Sequence, residues 1–219
     1  MEISNPGKTH IPCVLLVDTS AAMEGNLILD LNRSINYCID LLRRDEKLWN
    51  CTDLCVIRFD GRVKIEKAFA SVNLMMPPVL SASDLHDCAL NEAIITALDV
   101  INQRKEDYRK AGVDFWRPWL FLVTGFLPTD QEYADAAVRR LQESIQGKKI
   151  NYLQIHCGNP DFTSKLRRYG KNGVVAKGKL IDGFCQLKEA LTDSVKESPY
   201  GSLSEVELED TPFNIQMNI

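Results

Sequence analysis

Uninterrupted apolar runs alternate along this chain with stretches in which apolar residues return every three or four positions. The runs read as strands buried on both faces, the periodic stretches as helices with one apolar stripe. Cys13 to Val17 is the first strand, followed by a helix carrying Leu27, Leu31, Ile35, Cys38, Ile39 and Leu42. Leu54 to Phe59 is the second strand. Asp60-Gly61 is a hairpin signal leading to an antiparallel edge strand, Val63 to Phe69. Pro77-Pro78 breaks the next loop, and a long helix is expected from about Asp87 to Arg104, striped by Leu90, Ala93, Ile94, Ala97, Leu98 and Ile101.

Leu120 to Val123 is a further strand. Thr129 with Glu132 reads as a capping box opening a helix that runs through Ile145. Ile150 to Ile155, a short helix near Phe162 to Tyr169, a short strand at Val174-Val175 and a helix from Phe184 to Val195 complete the pattern. The order βαββαβαβαβα predicts an α/β fold: a doubly wound, mostly parallel sheet with one antiparallel edge strand and helices on both faces. Its ligand site is expected at the carboxyl ends of the strands. Residues 1–197 form this domain. Residues 198–219 are an acidic tail with two readings, a flexible end or a partner-binding strand in which Val206 and Leu208 alternate with Glu207 and Phe213 and Ile215 are anchors.

The 219 residues suffice for one domain, with 45% apolar and 26% charged residues as in soluble globular proteins. The net charge of −4 and the scatter of basic doublets argue against nucleic acid as a partner. The amino end lacks the apolar core of a secretory signal, and no apolar run approaches a membrane span. Most of the seven cysteines lie within apolar runs, where a free thiol acts as a small hydrophobe. Cys51 and Cys55 lack the further pair or histidine that a zinc site needs. A cytoplasmic protein is expected.

At the predicted strand ends, DTSAAMEG (residues 18–25) resembles the Asp-x-Ser-x-Ser loop of von Willebrand factor A domains, which opens their metal-ion-dependent adhesion site. WRPWLFLVTGFLPTD (116–130) resembles the segment those domains write W-(K/R)-P-x-x-F-L-x-T-D-G-x-P-T-D, in the form typical of the bacterial tellurium-resistance branch, the TerY-type proteins. Ala82 to Leu90 falls where the family has Gly-Gly-Thr-x-Leu-x-x-Ala-Leu. The resemblance covers residues 11 to about 196. It implies a divalent cation, magnesium by its oxygen ligands, whose shell an acidic partner residue completes. Asp18 and Ser20 match that ligand set. Ala22 stands for the second serine, Asp84 for the threonine and Gly125 for the second aspartate, so the site is degenerate.

Two readings stay open. In one the metal site is lost and the fold is a scaffold for protein–protein interaction; Asp84 is then a helix N-cap and Asp18 an acceptor for turn amides. In the other, Asp18, Ser20 and Asp84 hold magnesium and bind an acidic partner residue. Phe126 and Leu127, with Ala22, Met23, Glu24 and Gly125, form an apolar partner-binding surface if exposed, and fill the space of the missing ligands if folded inward. Trp119 is expected in the core, while Trp116 fits either a helix-packing or a surface role. The family branch implies a stress-response or defence setting with a kinase or phosphatase as partner.

Catalytic alternatives are thin. His86-Asp87-Cys88 are adjacent and point in different directions. His156-Cys157-Gly158 sits at a strand end, where a structural turn is the stronger reading. No phosphate-binding glycine motif is present. A non-enzymatic protein is expected.

Overall fold

A computed structural model describes residues 3–170, 173–175 and 180–199. The expected tail strand and its anchors at Phe213 and Ile215 lie outside the described residues. The strands are β1 (Ile11–Asp18), β2 (Thr52–Phe59), β3 (Val63–Ser71), β4 (Trp119–Thr124), β5 (Asn151–His156) and β6 (Gly173–Val175). The helices are α1 (Asn26–Arg44), α2 (Leu90–Ala111), α3 (Ala134–Gln146), the short α4 (Thr163–Leu166) and α5 (Leu180–Ser194). The six strands lie in the order β3-β2-β1-β4-β5-β6. All pairings are parallel except that of β2 with β3, the hairpin expected at Asp60-Gly61.

The apolar runs became the central strands because both faces of the sheet are covered. Every residue of β1 and of β4 is buried. Alternate side chains of β1 feed two cores, as the two-residue period of a strand requires. Cys13, Leu15 and Val17 meet Leu31, Ile35 and Ile39 of α1 and Phe184 and Leu187 of α5. Val14 and Leu16 meet Ile94 and Leu98 of α2 and Leu141 of α3. Edge strand β3 is mostly exposed or half-buried, in keeping with its charged residues. Gly183 lets α5 lie against β5, since a Cβ there would come within 1.8 Å of Ile155 Cδ1.

Helix boundaries depart from the periodic reading in two instructive places. α2 begins at Leu90 rather than Asp87, because the preceding loop is held extended by bonds to other loops. The amide of Ser83 donates to Thr19 O (2.8 Å), that of Ala21 to Leu85 O (2.9 Å) and that of Ala89 to Asp60 O (2.7 Å). Asp84 is therefore not the N-cap of α2 and lies on an exposed stretch. α2 also runs seven residues past Arg104, to Ala111. Its last turns bury Arg104, Lys105 and Tyr108, whose polar tips hide a continuing buried face. Gly112, at φ 65° and ψ 31°, ends it in the left-handed conformation glycine accepts.

The capping box expected at Thr129 and Glu132 does not form. Thr129 Oγ1 instead accepts from Cys88 N (2.9 Å), and the Asp130 carboxylate accepts from the amides of Asn91 (3.3 Å) and Glu92 (2.8 Å). These residues cap α2, while α3 starts at Ala134 after a single 3-10 turn over Gln131–Tyr133.

At the amino ends of the strands a second polar cluster is sealed inside. Asp53 Oδ2 accepts from Arg104 Nη2 (2.5 Å) and Tyr108 OH (2.6 Å) and lies 3.2 Å from His10 Nδ1, and all four residues are at most 1% exposed. The Arg104 guanidinium also lies over the Tyr108 ring. Nearby, Trp119 is buried as expected. Trp116 packs against the core and donates to Glu197 O (2.9 Å), which resolves its two readings in favour of packing.

Candidate functional site at the strand carboxyl ends

Strand order reverses between β1 and β4, so the crevice of this sheet belongs where these two strands end. β1 ends in Asp18 and β4 in Thr124, and the chain turns away after each. The crevice is bridged. Asp18 Oδ2 accepts from the Gly125 amide (2.9 Å) and lies 3.2 Å from Thr124 Oγ1, while Oδ1 accepts from the Ser20 amide (2.8 Å). Asp18 is 0% exposed. Burial pushes its carboxyl pKa up, and the bonds from Ser20, Gly125 and Thr124 offset this only in part.

Met23 is also 0% exposed and fills the space beneath the bridge. A Cβ placed on Gly125 would stand 2.8 Å from Met23 Sδ, and Cys157 Sγ lies 3.5 Å from the same sulfur. On the far side Gly158 packs backbone to backbone, since a Cβ there would fall 1.8 Å from Gly125 O. Glycine at 158 is a packing requirement here, whereas a side chain at 125 would have to displace the flexible end of Met23. Phe126 and Leu127 are half-buried against the α2–α3 core, and Phe126 meets the Phe162 ring edge-on at 5.7 Å.

Of the six residues expected to offer an apolar contact surface, Met23 and Gly125 are buried and Phe126 and Leu127 are turned largely inward. Glu24 is exposed and Ala22 half-buried. The outer rim is instead made by exposed Asp84, Leu85, His86 and Asp87, with Leu85 42% exposed. This rim is joined to the Asp18 loop through the Ala21–Leu85 hydrogen bond. It is joined to the β2–β3 turn by the close approach of Gly61 to Asp87.

The oxygens present fall short of an octahedral shell for a hard divalent cation. The Asp18 carboxylate already meets three protein donors, Ala22 and Gly125 bring no side-chain oxygen, and Asp84 belongs to the exposed rim. Among the described residues the buried hydroxyls of Ser20 and Ser83 have no hydrogen-bond partner. Among the described residues no three His, Cys, Asp or Glu side chains gather as a metal group would.

Thiol chemistry is poorly served as well. Burial, with the charge of Asp18, pushes the Cys157 thiol up to about 12, and Cys88 is raised still further. A thiol so placed stays protonated at neutral pH and is a weak nucleophile. His156 is pushed down by burial. His86 and Asp87 are exposed while Cys88 is buried, so that trio does not converge.

The sequence reading missed Thr124 as a partner of Asp18, although it stands directly before Gly125 in the segment 116–130 quoted above. It also missed the buried Asn91. Asn91 Nδ2 donates to the Asp130 carboxylate (3.0 Å), and its Oδ1 accepts from Tyr169 OH (2.6 Å), tying the β4–α3 loop to the start of α2. No periodicity marks such a residue.

No family model and no curated protein matches the chain in sequence. Solved structures match it in fold. The von Willebrand factor domain of the type V pilus tip protein Mfa5 from Porphyromonas gingivalis superposes with a TM-score of 0.64 at 8% identity, covering 91% of this chain and 99% of that one. A von Willebrand factor type A protein from Catenulispora acidiphila gives 0.58 at 12% identity, over 85% of this chain and 43% of that one. The manganese-loaded TRAP protein of Plasmodium vivax gives 0.55 at 14% identity, over 82% and 72%. The fold is that of von Willebrand factor A domains.

Proposed function

We propose that this chain is a non-enzymatic protein–protein interaction module whose strand-end face binds its partner without a metal. The observation carrying this reading is the Asp18–Gly125 bridge. The carboxylate that would hold a cation is engaged by the protein's own amides, and Met23 fills the space beside Gly125. What this face offers a partner is the rim of Glu24, Asp84 and Asp87 around exposed Leu85. Such acidic groups around an apolar contact suit a basic partner surface better than an acidic one.

A cytoplasmic setting is supported by seven cysteines that are all free. The resemblance of residues 116–130 to the tellurium-resistance branch supports a stress-response or defence assembly, with a kinase or phosphatase among the partners. The low thiolate character of Cys157 supports a role without catalysis.

A second reading is favoured by the unpartnered hydroxyls of Ser20 and Ser83. There Asp18 releases Gly125, and Asp18, Ser20 and Asp84 hold magnesium for an acidic partner residue. Affinity capture from the native host with and without EDTA separates the two. Capture that survives EDTA and is lost in Leu85→Asp supports the metal-free face. Loss on EDTA, restored by magnesium and abolished in Asp18→Ala, overturns it.

A further inference from the structure

At the opposite pole from the strand-end face, the second half of α2 and the turn before β5 enclose an open groove of about 470 Å³. Five charged side chains line it: Lys105, Arg109, Lys149, Asp99 and Glu106. Three are neutralised locally, since Arg109 pairs with Glu106 and Asp99 pairs with Arg140. Lys105 and Lys149 remain, and neither has an acid within ion-pair distance among the described residues. Lys149 is exposed, whereas Lys105 is only 6% exposed, its stem covered and its ammonium left to the groove.

An ammonium partly withdrawn from water and without an ion pair is an unfavourable arrangement. Here burial first, then the charges of Arg109 and Lys149, push the Lys105 pKa down, and the nearby Glu106 offsets this only in part. An anion in the groove would offset the repulsion among these cations and supply the counter-charge that Lys105 lacks, with the side-chain amides of Asn102 and Gln103 on the same wall as further donors. We propose that this groove is a binding site for the dianionic phosphate of a phosphomonoester, held between Lys105 and Lys149. The net charge of −4 is no obstacle, because a single phosphate responds to the local pair rather than to the whole surface. The site is remote from the Asp18 turn and independent of how that turn is used.

The test is a titration of the full chain with inorganic phosphate, at ionic strength held constant with potassium chloride, followed by amide chemical shifts. Saturable shifts along the second half of α2 and at Lys149 are expected. Lys105→Met should weaken them roughly tenfold or more, as for loss of a charge-assisted bond, and Lys149→Met should weaken them less. Because Lys149 is exposed, its variant keeps the test decisive if Lys105→Met fails to fold. A response that does not saturate, or that is unchanged in the folded variants, overturns the proposal. Phenyl phosphate and a capped phosphoserine peptide then identify the source. Equal affinities indicate a small phosphate ester, and tighter binding of the peptide a phosphorylated protein segment.

Discussion

The Asp18 carboxylate accepts the Gly125 amide at 2.9 Å, joining the ends of two neighbouring strands across a separation of 107 residues. That bond lies at the one place in the sheet where a ligand crevice belongs. It makes the most suggestive acidic residue of the chain a fastening between the β1 and β4 turns. Amide donors aimed at the buried carboxylate compensate part of its lost hydration.

Removing this fastening should be costly. Asp18→Ala strands the buried amides of Ser20 and Gly125, each worth about 1–3 kcal/mol when left unpaired. A loss of roughly 2–4 kcal/mol is expected from urea denaturation followed by circular dichroism. A change below the error of that measurement would show that Asp18 is not a structural residue.

Gly125→Asp, which restores the aspartate of the resembled motif, drives a Cβ toward Met23 Sδ. About 1–3 kcal/mol of destabilisation is expected from overpacking. Met23→Ala alone opens a cavity and is itself destabilising. The double variant should nonetheless be more stable than the sum of the two singles. A double-mutant cycle reads the sign of that coupling, and additivity would mean that the two residues do not compete for one space.

Asp130→Ala removes the cap of α2 supplied from the β4–α3 loop. A cost of about 1–2 kcal/mol is expected, typical of losing an N-cap acceptor. Hydrogen exchange should accelerate at the amides of Asn91 and Glu92. If the amides that open α3 lose protection instead, the assignment of this cap is wrong.

Asp18 and Asp53, both buried, should act oppositely in acid. Burial pushes Asp53 up, but hydrogen bonds from His10, Tyr108 and Arg104 outweigh it and its pKa is lowered. Its folded pKa lies below the unfolded value of about 3.9, so its contribution is present above that pH and is lost as pH falls through the folded pKa. Asp18 is raised, so the folded state binds its proton first and stability from this group increases as pH falls through its folded pKa toward about 3.9. Stability measured from pH 7 downward should therefore fall less steeply in Asp53→Asn and more steeply in Asp18→Asn. At neutral pH, Asp53→Asn should already cost about 3–5 kcal/mol, since it leaves Arg104 buried without its anion. Parallel pH profiles for wild type and both variants would refute this assignment.

Much of the fold was legible because the physics behind it is local. A run such as Cys13 to Val17 has no solvated face, so it must lie inside a covered sheet. Asp60-Gly61 makes a hairpin whatever surrounds it, and the stripe from Leu27 to Leu42 needs one apolar wall. The order of these elements then restricts the topology and points to the strand ends as the site. Position by position, the same reading found that Ala22 and Gly125 bring no ligand oxygen. What Met23, Asp84, Thr129 and Asp130 do was decided only by tertiary structure. Asp130 caps a helix 39 residues before it in the chain, Arg104 pairs with Asp53 across 51, and Met23 packs beside Gly125, which brings no side chain into that space. Sequence periodicity records which side of an element faces water, but a hydrogen bond or a filled space depends on where two distant segments come to rest.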